Sequence, residues 1–373
     1  MAGNVTQISA NNTVNYTYDA LNRLSTVTES NTGTTTYTYD AVGNLQSVTY
    51  PNGVAHTYAY DAKNRLTNLA AAGGAGAAPA NFSYAYTLDN AGHRTSVTEQ
   101  SGRVVNYAYD NIYRLTSEAI AGDPAANNGA VGYVYDAVGN RTQVTSTLAA
   151  IPAGGVGYDA DDRLTGDVYD ANGNTVNSGG IASVYDFENH LIQKGGVTIV
   201  YDGDGERVEK IAAGVTTKYL VADLNPTGDA QVVMENLSGS GSHDTSRSYF
   251  YGLERISQYR QFSGGTQTSY YIYDGHGSVR ALTDQTGNVT DTYDYDAFGN
   301  EIHSTGATPN EFLFAGEQFD SSLSLYYNCA RYLNVSTGRF WSMDSYEGNS
   351  SDPLSLHSIS LTRRSQRINM ASP

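Results

Sequence analysis

The sequence predicts an all-β protein made of consecutive β-hairpins that pair into one long, curved sheet. Two observations lead to this fold class. The phrase YTYDALNRL at residues 16–24 returns as YTYDAVGNL at residues 37–45, which is 21 residues later. The chain of 373 residues also contains 31 Tyr and 39 Gly. Tyr, Thr and Val favour strands, whereas Gly and Asn favour tight turns.

The repeated unit centres on an aspartate that follows an aromatic residue or a leucine. It recurs at Asp19, Asp40, Asp61, Asp89, Asp110, Asp136, Asp159, Asp170, Asp186, Asp202, Asp274 and Asp296. The third residue after this aspartate is Gly, Asn or Asp in eleven of the twelve copies, and Tyr113 is the exception. Gly, Asn and Asp tolerate positive φ, and Asp favours the first position of a type I turn. We therefore interpret each repeat aspartate as a turn former rather than a catalyst.

Strands are predicted on both sides of this turn. Upstream, tyrosines spaced by two place both rings on one face of a strand; they are Tyr16/Tyr18, Tyr37/Tyr39, Tyr58/Tyr60, Tyr84/Tyr86, Tyr107/Tyr109 and Tyr133/Tyr135. Downstream, NRLSTVT and GNLQSVT predict the return strand, joined through a type I turn with a G1 bulge. An isolated hairpin is marginally stable, so twelve hairpins with about 24 strands are expected to pair edge to edge.

Charge and cysteine content exclude several classes of protein. The net charge of −17 argues against nucleic acid or an anionic membrane as a partner, because both would be repelled. The single cysteine, Cys329, cannot form a disulfide within the chain. No signal peptide and no apolar run long enough to span a membrane is visible in the sequence.

The second half of the chain carries a more specific pattern. Residues 271–302 read YIYDGHGSVRALTDQTGNVTDTYDYDAFGNEI, and residues 312–348 read FLFAGEQFDSSLSLYYNCARYLNVSTGRFWSMDSYEG. These stretches resemble the Rhs repeat-associated core, and the tyrosine-aspartate phrases resemble the YD repeats of the Rhs family of bacterial proteins. The same repeats occur in the C components of insecticidal toxin complexes and in teneurins.

This resemblance implies an architecture and a function. Repeats of this family spiral into a hollow β-shell that encloses a variable C-terminal toxin, and the core closes one end. On this basis we expect a YD-repeat shell segment at residues 1–262, a core at 263–357 and an unrelated basic tail at 358–373. The implied partners are a C-terminal toxin, further YD-repeat segments and export machinery. The implied location is outside the cell or on its surface, reached by a route that the sequence does not display.

The resemblance also implies a candidate catalytic pair. Family members release the toxin by an autoproteolysis attributed to two aspartates and an arginine, which carries over to Arg331 and Asp344 here. Arg339 is interpreted as an anchoring ion-pair partner rather than as part of the reaction. Aspartyl chemistry needs two carboxyl groups sharing a proton, and the second aspartate of the family pattern is missing; Asp352 lies only eight residues beyond Asp344. We therefore expect at most a vestigial self-cleaving activity.

The chain is expected to be one piece of a larger shell. About 24 strands make a sheet about 115 Å wide, which closes into a ring about 37 Å in diameter. Once the inward side chains are subtracted, this ring is too narrow for a folded domain about 34 Å across. The last sixteen residues carry Arg363, Arg364 and Arg367 and no acid. This break suggests a truncated, frameshifted or recombined end without a toxin domain, or else a basic tail that docks on the acidic body.

No cofactor or metal site is predicted. Asp202, Asp204 and Glu206 alternate as in a calcium loop but coincide with a repeat turn and lack the pattern of an EF-hand. Histidines such as His93 and His190 show no ligand spacing. Two alternatives to the shell remain open, an aspartyl autoprotease and a surface adhesin in which exposed tyrosines stack on sugar rings.

Overall fold

The computed structural model describes residues 4–9, 13–239 and 244–343. In these residues the chain forms 32 β-strands and one 3-10 turn, Phe314–Gly316, and no α-helix. The predicted all-β fold class is confirmed. The part of the chain that the structure describes contains no helix long and apolar enough to cross a membrane.

The first sheet has fourteen strands in the described residues, in chain order. They are β1 (Gln7–Ser9), β2 (Thr13–Tyr18), β3 (Leu24–Glu29), β4 (Gly33–Tyr39), β5 (Leu45–Thr49), β6 (Val54–Tyr60), β7 (Leu66–Gly73), β8 (Ala80–Leu88), β9 (Arg94–Glu99), β10 (Val104–Tyr109), β11 (Leu115–Ala121), β12 (Gly129–Tyr135), β13 (Arg141–Ser146) and β14 (Gly154–Gly155).

A second sheet of fourteen strands and a small C-terminal sheet of four complete the described fold. The second sheet contains β15 (Asp167–Tyr169), β16 (Thr175–Ser178), β17 (Ile181–Tyr185), β18 (Leu191–Lys194), β19 (Val197–Tyr201), β20 (Arg207–Ala212), β21 (Val215–Ala222), β22 (Gln231–Gly239), β23 (Asp244–Tyr251), β24 (Arg255–Phe262), β25 (Gly265–Tyr273), β26 (Val279–Thr283), β27 (Val289–Tyr295) and β28 (Glu301–Thr305). The C-terminal sheet contains β29 (Gln318–Asp320), β30 (Leu325–Asn328), β31 (Arg331–Asn334) and β32 (Arg339–Phe340).

Every sheet follows the order of the chain. Each strand pairs antiparallel with its neighbours in sequence, so the predicted succession of hairpins is confirmed. In the described residues the ladder has more strands than the expected 24, and it is interrupted between β14 and β15 and again between β28 and β29. The first interruption separates the two large sheets. The strands at this interruption are two and three residues long, and β14 consists of Gly154 and Gly155. Glycine weakens a strand because it contributes no side chain to packing.

The two large sheets meet through the hairpin tips of the second sheet. Gly275 in the β25–β26 turn donates its N–H to the Tyr86 hydroxyl, and Ala297 in the β27–β28 turn donates to the Glu118 carboxylate at 3.0 Å. The side chain of Asn52 donates to Thr283 Oγ1 at 3.0 Å. The β25–β26 tip thus meets β8 and the β27–β28 tip meets β11, while the end of β26 meets the turn between β5 and β6.

Tyrosine provides much of the buried surface. In β2, Val14 and Tyr16 are buried while Asn15 and Thr17 are exposed, which is the alternation expected of a strand with one covered face. One cluster joins such residues of the first sheet to Phe250, Ile256 and others of the second. The apolar core therefore lies largely between the two sheets.

The proposed boundary at residue 263 falls inside the second sheet. Strands β24 and β25 on either side of it pair from Ser257↔Tyr270 to Phe262↔Gly265. The hydrogen-bonded ladder is continuous there, and the separate core at 263–357 stays a prediction. All residues after Met343, including the whole predicted tail at 358–373, lie outside the described residues.

Candidate functional site

The carboxylate of the repeat aspartate is occupied by its own turn. In the first repeat, Asp19 Oδ1 accepts the N–H groups of Leu21 and Arg23, both at 2.9 Å, and Oδ2 accepts Arg23 Nε at 2.8 Å. Hydrogen bonds from the backbone and side chain of Arg23 lower the pKa of Asp19. The interpretation of these aspartates as turn formers is confirmed.

Positive φ occurs at the third residue after every repeat aspartate. Tyr113, the exception in the sequence pattern, has φ of 65°, so the turn imposes the left-handed conformation even on an aromatic residue. The full set is Asn22, Gly43, Asn64, Gly92, Tyr113, Gly139, Asp162, Gly173, Asn189, Gly205, Gly277 and Gly299.

The fourth residue after the aspartate completes the turn, and the sequence analysis did not identify it. In ten of the twelve repeats an Arg, Asn or His side chain contacts Oδ2 of the aspartate four residues earlier; these are Arg23, Asn44, Arg65, His93, Arg114, Asn140, Arg163, Asn174, His190 and Asn300. The signal was present in the spacing, because these three residue types recur there.

Tyrosine hydroxyls connect most of the hairpins to the preceding one. The second tyrosine of the phrase donates to a backbone carbonyl at the start of the previous return strand, as in Tyr39 to Leu24 O at 2.9 Å and Tyr60 to Leu45 O at 2.9 Å. The first tyrosine of the phrase is buried, with Tyr37 6% and Tyr84 2% exposed. These buried rings are not available to stack on sugars, which weakens the adhesin alternative.

Arginines of the turns cover the tyrosines of the following hairpin. The guanidinium carbon of Arg23 lies 4.3 Å from the centre of the Tyr39 ring, and that of Arg114 lies 4.9 Å from the Tyr135 ring. A cation over an aromatic face is stabilised by the ring quadrupole. Each such arginine therefore serves both its own turn and the next strand.

Two buried glutamates lie where the large sheets meet. The carboxylate of Glu29 accepts the Ser257 hydroxyl at 3.1 Å, and that of Glu118 accepts the Tyr133 hydroxyl at 2.8 Å as well as the N–H of Ala297. Burial raises the pKa of both Glu29 and Glu118 to about 7. No periodic signal marked these residues, because their partners lie far along the chain.

The C-terminal sheet is held against the second sheet by buried ions. Asp320 Oδ2 in β29 lies 3.3 Å from Arg207 Nη1 and 2.9 Å from Lys210 Nζ, and both cations belong to β20. Arg207 and Asp320 are each 1% exposed. The guanidinium of Arg207 also lies 4.2 Å from the ring centre of Tyr327 in β30.

A second set of ions adjoins the first through Gln318. Its Nε2 donates to Glu235 Oε1 at 3.1 Å and to Glu311 Oε2 at 2.7 Å. Arg247 Nη1 lies 3.3 Å from Glu235 and 3.1 Å from Glu311. Burial, and then the neighbouring Glu311, raise the pKa of Glu235 to about 7. Two carboxyl groups thus share one arginine and one amide in the interior.

The predicted catalytic residues are only partly within the described residues. Arg331 begins β31, and its guanidinium carbon lies 3.8 Å from the ring centre of Phe340. Asp344 lies outside the described residues. Arg339 Nη1 donates to Asn140 Oδ1 at 3.0 Å, which fits an anchoring residue although its partner is an amide. The pairing of Arg331 with Asp344 stays a prediction.

One group of side chains has the composition of a metal site. The ligand atoms of Asp186, Glu188 and His190 lie within 4.8 Å of one another. The contact of 3.0 Å between His190 Nδ1 and Asp186 Oδ2 is the repeat turn itself, since His93 and Asp89 make it at 2.9 Å. The turn accounts for this cluster, and the expected absence of a metal stays a prediction.

The repeat geometry agrees with comparisons to known proteins. The family model described as RHS Repeat matches residues 18–55 and 39–75. The tRNA nuclease WapA of Bacillus subtilis (strain 168) is 27% identical over 240 residues, which are 60% of this chain and 10% of WapA. The putative uncharacterized protein YlbH of Escherichia coli (strain K12) is 30% identical over 107 residues, 24% of this chain and 45% of YlbH. The chain thus spans about a tenth of the length of WapA.

Solved structures share the fold over nearly the whole chain. TcdB2-TccC3 without its hypervariable C-terminal region has a TM-score of 0.78 and 17% sequence identity, covering 97% of this chain and 20% of that chain. The Tc holotoxin pore of Photorhabdus luminescens gives a TM-score of 0.74 and 17% identity, covering 97% and 21%. Residues 18–75 match the RHS Repeat model, and the chain shares the fold of TcdB2-TccC3 over nearly its whole length.

Proposed function

We propose that this chain is a wall segment of a hollow β-shell that encloses a polypeptide toxin. The observation that carries the proposal is the packing of the second sheet's hairpin tips on the first sheet, because it joins two rows of hairpins into one continuous wall. Tyr86, Glu118 and Asn52 make these contacts from the first sheet. The likeness to TcdB2-TccC3 over 97% of the chain supports the proposed wall at the level of the fold.

Containment fits the chemistry of the repeats better than catalysis does. A general acid or base needs a carboxyl group that is free to exchange protons with a substrate. The repeat aspartates instead accept two backbone N–H groups and one side chain in their own turn, as Asp61 does from Lys63 and Arg65. A surface with its polar groups satisfied in this way is suited to hold a cargo without reacting with it.

The proposed partners follow from the size of the chain relative to its relatives. The chain covers about a fifth of TcdB2-TccC3. Further YD-repeat segments would supply the remaining wall, and a toxin would occupy the interior. WapA, a relative, is a tRNA nuclease, and a toxin of some enzymatic class is the cargo that we propose. The site of action that we propose is the cell surface or the exterior of the cell.

A protease-protection experiment tests containment. A short passenger without stable structure would be fused after residue 373 and digested with trypsin, and its lifetime would be compared with that of the same passenger on an unrelated globular carrier. We expect a lifetime longer by at least about tenfold, since cleavage requires the passenger to leave the wall. Equal lifetimes on both carriers would contradict containment.

A further inference from the structure

The side chain four residues after each repeat aspartate decides what lies on the tyrosine of the next hairpin. In three of the four arginine repeats the guanidinium covers the tyrosine before the next aspartate, at 4.3 Å for Arg23 over Tyr39 and 5.5 Å for Arg163 over Tyr169. In the fourth, that of Arg65, the residue at the tyrosine position is Leu88. Asparagine at this position is too short to do so. Its side chain bonds instead to the residue three positions after the next repeat aspartate, as Asn44 Nδ2 does to Asn64 Oδ1 at 3.1 Å.

One asparagine repeat receives its guanidinium from elsewhere in the chain. Asn140 Nδ2 donates to Asp162 Oδ1 at 2.8 Å, which is the same arrangement as at Asn44. Arg339 of β32 enters this place. Its Nη1 donates to Asn140 Oδ1 at 3.0 Å, its Nη2 donates to the carbonyl of Asp162, and its guanidinium carbon lies 5.0 Å from the Tyr158 ring. The C-terminal sheet thus supplies the cation that the repeat lacks.

The corresponding place at Asn44 has no such cation in the described residues. Asn44 is 3% exposed, and its Oδ1, the atom that accepts the arginine at Asn140, has no hydrogen-bond partner in the described part of the chain. A buried amide oxygen without a partner costs free energy. A cavity of about 350 Å³ opens beside it, lined by Asn44, Tyr60, Asn64 and Glu254 among others.

Glu254 gives this cavity a negative group. It lies in the β23–β24 turn of the second sheet, and its carboxylate makes no hydrogen bond or ion pair with the described residues. Burial raises the pKa of Glu254 to about 7, with Asp274 adding to the effect and Arg255 opposing it. A carboxyl group held in this way gains from an incoming cation.

We propose that this cavity is a binding site for the guanidinium group of an arginine side chain that comes from outside the described fold. Planar guanidinium matches the features present, since it can donate to Asn44 Oδ1 and to Glu254 while its face covers the Tyr60 ring. The Tyr60 hydroxyl is fixed by its bond to Leu45 O at 2.9 Å, so the ring is held in place. The inference goes beyond containment, because it assigns a specific contact point to the wall.

At a third asparagine, Asn174, the end of the chain covers the repeat without placing a cation there. Asn174 Oδ1 also lacks a partner among the described residues, but the C-terminal segment covers this region. Met343 packs against Gly173, and the Tyr185 hydroxyl donates to the Trp341 carbonyl at 3.2 Å. At the fourth asparagine repeat, Asn300 Nδ2 donates to the Val335 carbonyl at 3.5 Å. Residues 335–343 thus lie against three of the four asparagine repeats, and Asn44 is left open.

Calorimetric titration of the full chain with N-acetyl-arginine amide tests the site. The measurement is made at pH 8, where Glu254 is ionised, with the neutral analogue N-acetyl-citrulline amide as the matched ligand. Asn44→Arg places in this repeat the residue that four sister repeats carry, so it is expected to fold and to fill the cavity. Glu254→Gln removes the charge, and Asp204→Asn, in an exposed turn, is the control.

We expect one arginine-amide site in the wild type and in Asp204→Asn, no binding to Asn44→Arg and affinity lower by about tenfold in Glu254→Gln. The citrulline analogue should bind at least about tenfold more weakly than the arginine ligand. Equal binding by Asn44→Arg and the wild type, equal binding of the two ligands, or no arginine-amide binding to any form of the chain would overturn the proposal.

The arginine can come from a partner polypeptide or from Arg363, Arg364 and Arg367 of this chain. A full-length variant with all three changed to Gln separates these sources. Higher affinity for the free ligand in this variant than in the wild type identifies the chain's own arginines as the occupant, and unchanged affinity identifies a partner. Both outcomes require the site, and the Asn44→Arg result remains the decisive one. Trypsin protection of a passenger does not enter this measurement, so failure of the proposed function leaves it intact.

Discussion

The first sheet and the C-terminal sheet are stabilised in opposite ways. In the first sheet, each hairpin uses hydrogen bonds between residues that are close in the chain, such as Asp19 with Arg23 and Tyr39 with Leu24. The C-terminal sheet depends on ions that are more than a hundred residues apart, as Asp320 and Arg207 are. The first mode repeats along the sequence, whereas the second consists of individual pairs at no fixed spacing, such as Asp320–Arg207 and Arg280–Glu99.

This difference predicts where the fold is robust. A repeated local interaction can be lost in one hairpin while its neighbours keep theirs, because stability of a repeat array is close to a sum of unit and neighbour terms. A buried ion pair has no such substitute, and removal of one partner leaves an uncompensated charge. Substitutions should therefore cost more at the C-terminal sheet than in the repeats.

The largest effect is expected at Asp320. Asp320→Ala leaves Arg207 and Lys210 without their shared carboxylate in the interior, and the free energy of unfolding should fall by about 3–5 kcal/mol. Urea unfolding followed by circular dichroism measures this. The matched control is Glu209→Gln, whose partner Lys218 is 68% exposed, with an expected change of about 0–1 kcal/mol. Similar losses in both variants would contradict the comparison.

A pH-dependent effect is expected where the two large sheets meet. The pKa of Glu29 is about 7 in the folded protein against 4.5 without burial, so the folded state retains a proton that the unfolded state releases between these values. The contribution of Glu29 to stability therefore decreases from pH 4.5 to 7 and is constant above. Glu29→Gln should match the wild type near pH 4.5 and exceed it by about 2–3 kcal/mol at pH 8.

Unfolding in urea at both pH values tests this prediction. Glu301→Gln, at an exposed position, serves as the control and should leave the pH profile unchanged. A Glu29→Gln profile parallel to that of the wild type would show that the pKa of Glu29 is the same in the folded and unfolded states, which would contradict the prediction.

A smaller loss is expected in a repeat turn. Asp61→Ala removes the acceptor for the N–H groups of Lys63 and Arg65 and for Arg65 Nε, and should cost about 1–2 kcal/mol. Asp61→Asn keeps one oxygen acceptor and should cost less. Thermal unfolding of the two variants ranks their losses of stability. A larger loss in Asp61→Asn than in Asp61→Ala would contradict the stabilising role of the aspartate in the turn.

The smallest effect is expected from one hydroxyl group. Tyr39→Phe removes the bond to the Leu24 carbonyl while keeping the ring under Arg23, and should cost about 1 kcal/mol. Tyr113→Phe, with Tyr113 58% exposed, is the control and should be neutral. A loss as large as that of Asp320→Ala would mean that repeats and C-terminal sheet do not differ as described.

The same comparison explains how much of the molecule could be predicted from the sequence. Turn residues and strand alternation act over a few positions, so Asp19, Asn22 and the tyrosine pairs indicated the hairpins and their order. The interruption at β14 and the contacts between sheets depend on partners distant in sequence, such as Glu118 and Ala297. Such pairs leave no periodic pattern in a single chain.

The candidate sites divide in the same way. The role of the repeat aspartates was predicted correctly because it is local. The arginine or asparagine four residues later was overlooked although its spacing is regular, and the fit of Arg339 into the Asn140 turn could not be deduced because it joins residues 199 positions apart. The pairing of Arg331 with Asp344 remains a prediction from resemblance.

The tyrosine hydroxyl that reaches back to the previous hairpin has a consequence for how such proteins grow. A unit such as residues 37–57 carries its own tyrosine donor and offers a backbone acceptor to its successor. Tandem duplication of such a unit therefore adds both the donor and the acceptor of a new junction. Lengthening of the gene by whole units then preserves every junction, while loss of a partial unit removes a donor from its acceptor. Natural size variation in this lineage should accordingly come in steps of one hairpin.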